Sequence, residues 1–195
     1  MSTPNRSTYH HGALRPALIA AARALLDEGG PEAVGLREAA RRVGVSPTAT
    51  YRHFRDKEAL LAAVAAEGFR EFGAALAEGG RAADPLAGIG AAYVDFALAK
   101  PGMFRLMFSP LLAASDSELR AAAEPTFEIL RGGVRAHTPD SEGVDAAAIA
   151  AWSLVHGLSH LILDGVLPKA DAETFKRAIL APPNGAPGLK VPWER

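Results

Sequence analysis

Two histidines four residues apart, His156 and His160, stand in the stretch "WSLVHGLSH", with Trp152 four residues ahead of the first. Such a pair shares one helix face and resembles half of a zinc site, but no glutamate follows His156 and no third ligand falls at helical spacing. No metal site is expected there, nor at His10 and His11, whose adjacent side chains diverge. Nucleophilic catalysis would need an oriented base beside Ser153 or Ser159, and Asp164 could orient His160 only from a surface-leaning position. Two readings of His156 stay open: a core imidazole satisfied by a neighbouring carbonyl or hydroxyl, or a polar handle on a ligand cavity. His160 reads as structural or interfacial.

A second kind of chemistry is concentrated near the other end of the chain. Residues 1–57 hold nine basic side chains against five acidic ones, whereas residues 58–195 hold twelve basic against seventeen acidic. A basic head on an acidic body is the footprint of a protein that meets a polyanion through its head alone. The absence of cysteine excludes disulfides, thiolate metal sites and a cysteine nucleophile. No signal segment and no run of about 18 uninterrupted apolar residues is found, so no membrane partner and a cytoplasmic location are expected.

The elements that must position these groups all read as helices. Leu14, Leu18, Ala22, Leu25 and Leu26 follow helical spacing and stop near Glu28, before two glycines. A short helix from Leu36 to Val43 turns Leu36, Ala39 and Ala40 inward and Arg37, Arg41 and Arg42 outward, and Gly44 ends it. Ser46 and Pro47 then open a third helix, Ser46 as N-cap and Pro47 where a missing N–H costs nothing. Asp56 caps a longer helix whose inner face carries Leu61, Val64, Gly68, Phe72 and Leu76. Further helices fit Pro85 to Ala99, a short piece between Pro101 and Pro110 with Phe104, Met107, Phe108 and Leu111 on one side, Ser117 to Ala136, Ser141 to Leu167, and Ala170 to Leu180. No sustained period-two alternation appears, and the chain reads as all-α: a three-helix helix-turn-helix head followed by a larger helical ligand-binding and dimerisation body. The expected boundaries are 1–57 for arm and head, 58–181 for the body, and 182–195 for a Pro/Gly-rich tail in which Trp193 is the one anchor.

Two short helices joined at Gly44, the second capped and immediately polar, form a helix-turn-helix by pattern, and such a unit sets the start of its second helix against base edges in the major groove. Pro47, Thr48 and Arg52 are the candidate base readers: Arg52 can bond guanine through two parallel N–H groups, and Thr48 and Pro47 can pack on thymine methyls. Ser46, Thr50, Tyr51, His53 and Lys57 are candidates for phosphate oxygens. Phe54 reads as core.

The stretch "YHHGALRPALIAAARALLDEGGPEAVGLREAARRVGVSPTATYRHFRDKEALLAAV" resembles the N-terminal DNA-binding domain of the TetR/AcrR family of transcriptional regulators. The resemblance rests on "L.E.A..VGVS", "YRHF" and "KEALL" occurring in order at family spacing. It implies two subunits on a palindromic operator and adds Arg37 to the base readers. Tyr9, His10 and His11 resemble the arm of one branch of the family. Trp152, His156 and Gly157 are similar to the signature of a branch named for a Trp-His-Gly motif, with "FRLMFSP" upstream, and Gly157 would permit close helix packing. The resemblance implies dimerisation through the helices near 141–167 and 170–180.

An excess of large soft side chains marks a candidate ligand pocket: Tyr93, Phe96, Phe104, Met107, Phe108 and Phe127, with Trp152 and His156 at its border. The expected function is a homodimeric DNA-binding regulator, a repressor released by a small apolar or aromatic ligand, without cofactor or enzymatic activity. A constitutive DNA-binding protein without ligand and a small helical enzyme using His156 are the alternatives.

Overall fold

A computed structural model describes residues 13–110, 112, 116–137 and 143–180. The arm residues Tyr9, His10 and His11, the apolar Leu111, the helix start at Ser141 and the tail with Trp193 lie outside them. Among the described residues there are nine α-helices and no strands.

The head is α1 (Leu14–Ala33), α2 (Leu36–Val43) and α3 (Pro47–Thr50). Regular geometry in α1 ends at Gly29 and Gly30, as the sequence pattern predicts, and Pro31 to Ala33 add a last turn beyond the break. Gly44 closes α2 with φ of 78°, a left-handed conformation that costs little without a Cβ, and its N–H reaches the α2 carbonyls of Ala40 and Arg41. The recognition helix α3 is only four residues long and continues as hydrogen-bonded turns, with His53 and Phe54 both donating from their amides to the Thr50 carbonyl. Ser46 has the extended backbone of an N-cap, but its hydroxyl makes no capping bond; its carbonyl accepts from Ala49 N instead.

The body begins with α4 (Lys57–Gly79), which Asp56 starts by accepting from Ala59 N at 2.7 Å. α5 (Pro85–Ala99) uses the same device, Asp84 accepting from Ala87 N at 3.0 Å. α6 (Pro101–Met107), α7 (Ser117–His137), α8 (Val144–Leu163) and α9 (Ala172–Leu180) follow, with a 3₁₀ turn, Lys169–Asp171, ahead of α9. α8 is shorter than its apolar pattern because Gly143 and Gly165, both with positive φ, bound it.

α4 is the axis of the molecule: it packs against α1 at one end and against α5, α6 and α7 along its length. One continuous core runs from Leu18 and Leu26 of α1, through Leu60 and Val64 of α4, to Phe104 of α6 and Leu158 of α8. Head and body therefore share their apolar burial, the dominant stabilising term. Two ionic clusters cross the same junction. Arg23 of α1 pairs with Glu71 of α4, which also takes Lys100, and Arg15 of α1 joins Arg70 of α4 on Glu118 of α7. The Arg23 guanidinium, assisted by Lys100, holds the Glu71 carboxyl down at about 2.

α8 is long and apolar enough by length and composition to cross a bilayer. The polar side chains of Ser153, His156, Ser159 and His160 interrupt its apolar run. The helix packs on α5 and α7 through Ala148, Val155, Leu158 and Ile162, and leaves Ile149, Leu154 and Leu161 exposed.

Candidate DNA interface and ligand cavity

The helix-turn-helix leaves most of the expected contact residues open to solvent. Arg37, Ser46, Pro47, Thr48, Tyr51 and Arg52 are exposed, and His53 and Lys57 are partly exposed beside them. The phenol of Tyr51, 53 % exposed, projects into solvent while Phe54 next to it is buried. Ion pairing sorts the head's cations in a way composition could not reveal. Arg42 is clamped by Glu28 and Glu38, and Arg41 by Glu38. Arg15 and Arg23 are spent on the body, whereas Arg37 and Arg52 make no ion pair among the described residues. Lys57 lies 3.7 Å from Glu32, a loose pair that a phosphate could replace.

Thr50 is a correction. It was expected to meet a phosphate, but it is fully buried and its hydroxyl donates to the Pro47 carbonyl at 2.6 Å. The four-residue α3 turns Thr50 inward, so this side chain fastens the recognition turn from below.

Between α4, α5, α7, α8 and α9 the body holds a partly open cavity of about 690 Å³. Four of the expected wall residues line it: Tyr93, Phe108, Phe127 and Trp152. Phe96, Phe104 and Met107 do not, and this too is a correction. Phe104 is fully buried between Tyr93, Phe108 and the two histidine rings, and Phe96 and Met107 are likewise buried in the core behind the wall. On α5, Tyr93 and Phe96 are three residues apart, and only the first reaches the void. Wall residues missed by the sequence reading include Phe69, Phe72 and Leu76 of α4 and Leu180 of α9. The spacing of Phe72 and Leu76 marks a helix face, but nothing local distinguishes a face against a void from one against core.

His156 is not a wall residue either; it acts one step back. Trp152 Nε1, which can only donate, gives its proton to the Tyr93 hydroxyl oxygen at 3.0 Å, and the same oxygen lies 2.7 Å from His156 Nδ1. The pair read from "WSLVH" thus meets at the Tyr93 hydroxyl, which both rings hold from one face of α8. Burial raises the Tyr93 phenol, keeping it protonated, and burial followed by the neighbouring His160 lowers His156 below its ordinary value. The two histidine rings are 4.7 Å apart between centroids.

Neither serine in this helix is an activated nucleophile: Ser153 and Ser159 donate to the carbonyls four residues back, at 2.8 and 2.7 Å. Asp164 is engaged by Arg105 at 2.6 Å and stands 3.8 Å from His160. Among the described residues no group of three potential metal ligands converges. Gly157 is exposed, and among the described residues no other element would come within 4 Å of a Cβ there, so the close packing expected of it is not with another described element of this chain.

Comparison with known proteins agrees with this division. The profile of bacterial regulatory proteins of the tetR family matches residues 18–64, and that of the tetracyclin repressor-like C-terminal domain matches residues 86–181. None of the curated proteins matches. Among solved structures, a protein of unknown function from Rhodococcus sp. RHA1 superimposes with a TM-score of 0.72 at 30% identity, covering 88% of this chain and 98% of that one. RolR, solved with resorcinol, gives 0.62 at 24% identity over 87% of each chain. FadR from Bacillus subtilis, solved with stearoyl-CoA, gives 0.61 at 17% identity over 85% of this chain and 97% of that one. With both profiles in order along one all-helical chain, head before body, the chain belongs to the TetR family of bacterial transcription regulators.

Proposed function

We propose that the protein is a homodimeric repressor that binds a palindromic operator and is released from it by a small apolar or aromatic ligand. The observation that carries the reading is a shared helix. α4 begins at Lys57 under the recognition turn, and its Phe69, Phe72 and Leu76 form part of the cavity wall. From Lys57 to Phe72 the helix advances about 22 Å, so a tilt imposed at the cavity moves the head. Two recognition elements must match major grooves about 34 Å apart, and a ligand that fits the tilted state better than the DNA-bound one shifts the population away from DNA.

The second subunit is assigned to the helices near 141–167 and 170–180. Ile149, Leu154 and Leu161 of α8 and Val166 beyond it leave an apolar face in solvent, and the open side of Gly157 lies on the same helix. Domain limits of 1–57, 58–181 and 182–195 suit this division, with α4 serving both parts. Trp152, His156 and Gly157 support membership of the Trp-His-Gly branch. A regulator of this kind works in the cytoplasm, on double-stranded DNA.

Base reading is assigned to Arg37, Pro47, Thr48 and Arg52, and phosphate contact to Ser46, Tyr51, His53 and Lys57. Selection of bound DNA from a random pool tests head and dimer together, and a palindrome is the expected result. Arg52→Ala should cost about 1–3 kcal/mol of specific affinity and relax one base position in each half-site. An unchanged selected sequence would show that Arg52 reads no base.

A further inference from the structure

Among the described residues the cavity wall carries no lysine or arginine, and His137 is its one titratable base. Fixed charge on the described wall comes only from Asp84 and Glu124. Asp84 closes one end, 3.3 Å from His137 Nε2. Tyr93 lies nine residues further along α5, about 13 Å away at the helical rise, and the space between is walled by Leu86, Ile89, Leu130 and Leu180. Of the uncharged polar groups on that wall, the Thr126 hydroxyl is bonded to the Ala123 carbonyl and the Trp152 N–H to Tyr93, whose hydroxyl is held by Trp152 and His156.

That arrangement selects a ligand class. An anion entering the cavity would shed part of its water against an apolar wall whose described residues offer no lysine or arginine and set a carboxylate at the rim, an arrangement that disfavours the charge. A hydroxyl meets the opposite reception. With Trp152 donating to one lone pair, the Tyr93 oxygen still offers either its proton or its second lone pair, depending on which way the proton shared with His156 lies. A ligand hydroxyl both donates and accepts, and it satisfies either arrangement.

We propose that the cavity takes an elongated apolar molecule whose polar group is an uncharged hydroxyl paired to Tyr93, and that it rejects carboxylates of the same shape. The proposal rests on reading the body as a sensing domain and goes further by fixing the ligand's polarity and charge. Calorimetric titration of the full chain at pH 8 with 1-decanol and with decanoate, both below their aggregation limits, tests it. The alcohol should bind at least about tenfold more tightly than the acid. Glu124→Lys, a change at an exposed helix position, should narrow that ratio by strengthening decanoate, and Tyr93→Phe should weaken the alcohol while leaving the acid unchanged. Decanoate binding as tightly as decanol would overturn the ligand class and leave the sensing function intact. Failure of decanol to bind would overturn the ligand class, whereas the sensing reading falls separately, if no apolar or aromatic compound releases the protein from its selected DNA.

Discussion

The recognition surface and the ligand cavity are built from opposite materials. The surface of the head is made by side chains that pack on almost nothing: Arg37, Thr48, Tyr51 and Arg52 stand in solvent. The cavity is walled mostly by buried or partly buried side chains, and its shape belongs to five helices at once. Substitutions in the first region should change binding and spare the fold. In the second the outcome turns on whether a ring faces the void or the core behind it.

The largest expected effect tests that last distinction. Phe104 is fully buried against Tyr93, Phe108, His156 and His160, so Phe104→Ala should cost about 3–5 kcal/mol, the usual penalty for emptying a core phenylalanine site. Phe127 lines the existing void and is only partly buried, so Phe127→Ala enlarges a cavity already there and should cost well under half as much. Urea unfolding of the two variants decides it, and equal losses would mean that wall and core are not distinct.

This distinction was the part of the site that the sequence could not supply. The head was legible because its signals are local: Gly44 ends α2, Pro47 opens α3, Asp56 caps α4, and the order of residues around them already says which side chains face out. Thr50 escaped the reading because a four-residue helix gives no periodicity to tell its inner side from its outer one. In the body, composition located the aromatic cluster but not the void within it. Phe96, Phe104 and Met107 have the same chemistry as Phe108, and only the positions of α4, α7 and α9 decide which of them has space in front. The role of Trp152 and His156 was half visible, since their spacing put them on one face, yet their common partner Tyr93 is about sixty residues away.

Thr50 allows a sharper contrast inside the head, with a smaller effect. Thr50→Val keeps the shape and removes the bond to the Pro47 carbonyl, which should lower stability by about 1 kcal/mol, or some 2–4 °C in Tm for a chain of this size. DNA affinity of the folded protein should hardly change, because the buried hydroxyl reaches no phosphate. Tyr51→Phe is the mirror experiment: its exposed phenol supports nothing in the fold, so Tm should stay put while DNA affinity falls. If Thr50→Val loses DNA affinity at unchanged Tm, the buried assignment is wrong.

The smallest effect probes the hydrogen bond that joins α8 to the cavity. His156 is lowered in the folded protein by burial and then by His160, whereas in the unfolded chain it titrates near its ordinary 6.5. The unfolded state therefore takes up a proton that the native state resists, and stability must fall as pH drops from about 6.5 through the lower native value. Around His156 stand the Tyr93 hydroxyl from α5, the uncharged rings of Phe104 and Phe108 from α6 and its end, and His160 with Asp164 beyond it on its own side. Once protonated, His156 can only donate through Nδ1, so Tyr93 must accept from both neighbours and turn its own proton toward the cavity. Urea midpoints measured between pH 8 and pH 5 should fall more steeply for the wild type than for His156→Gln, which lacks the titrating ring. Parallel curves would place the acid sensitivity elsewhere in the molecule and leave His156 as a packing residue of α8.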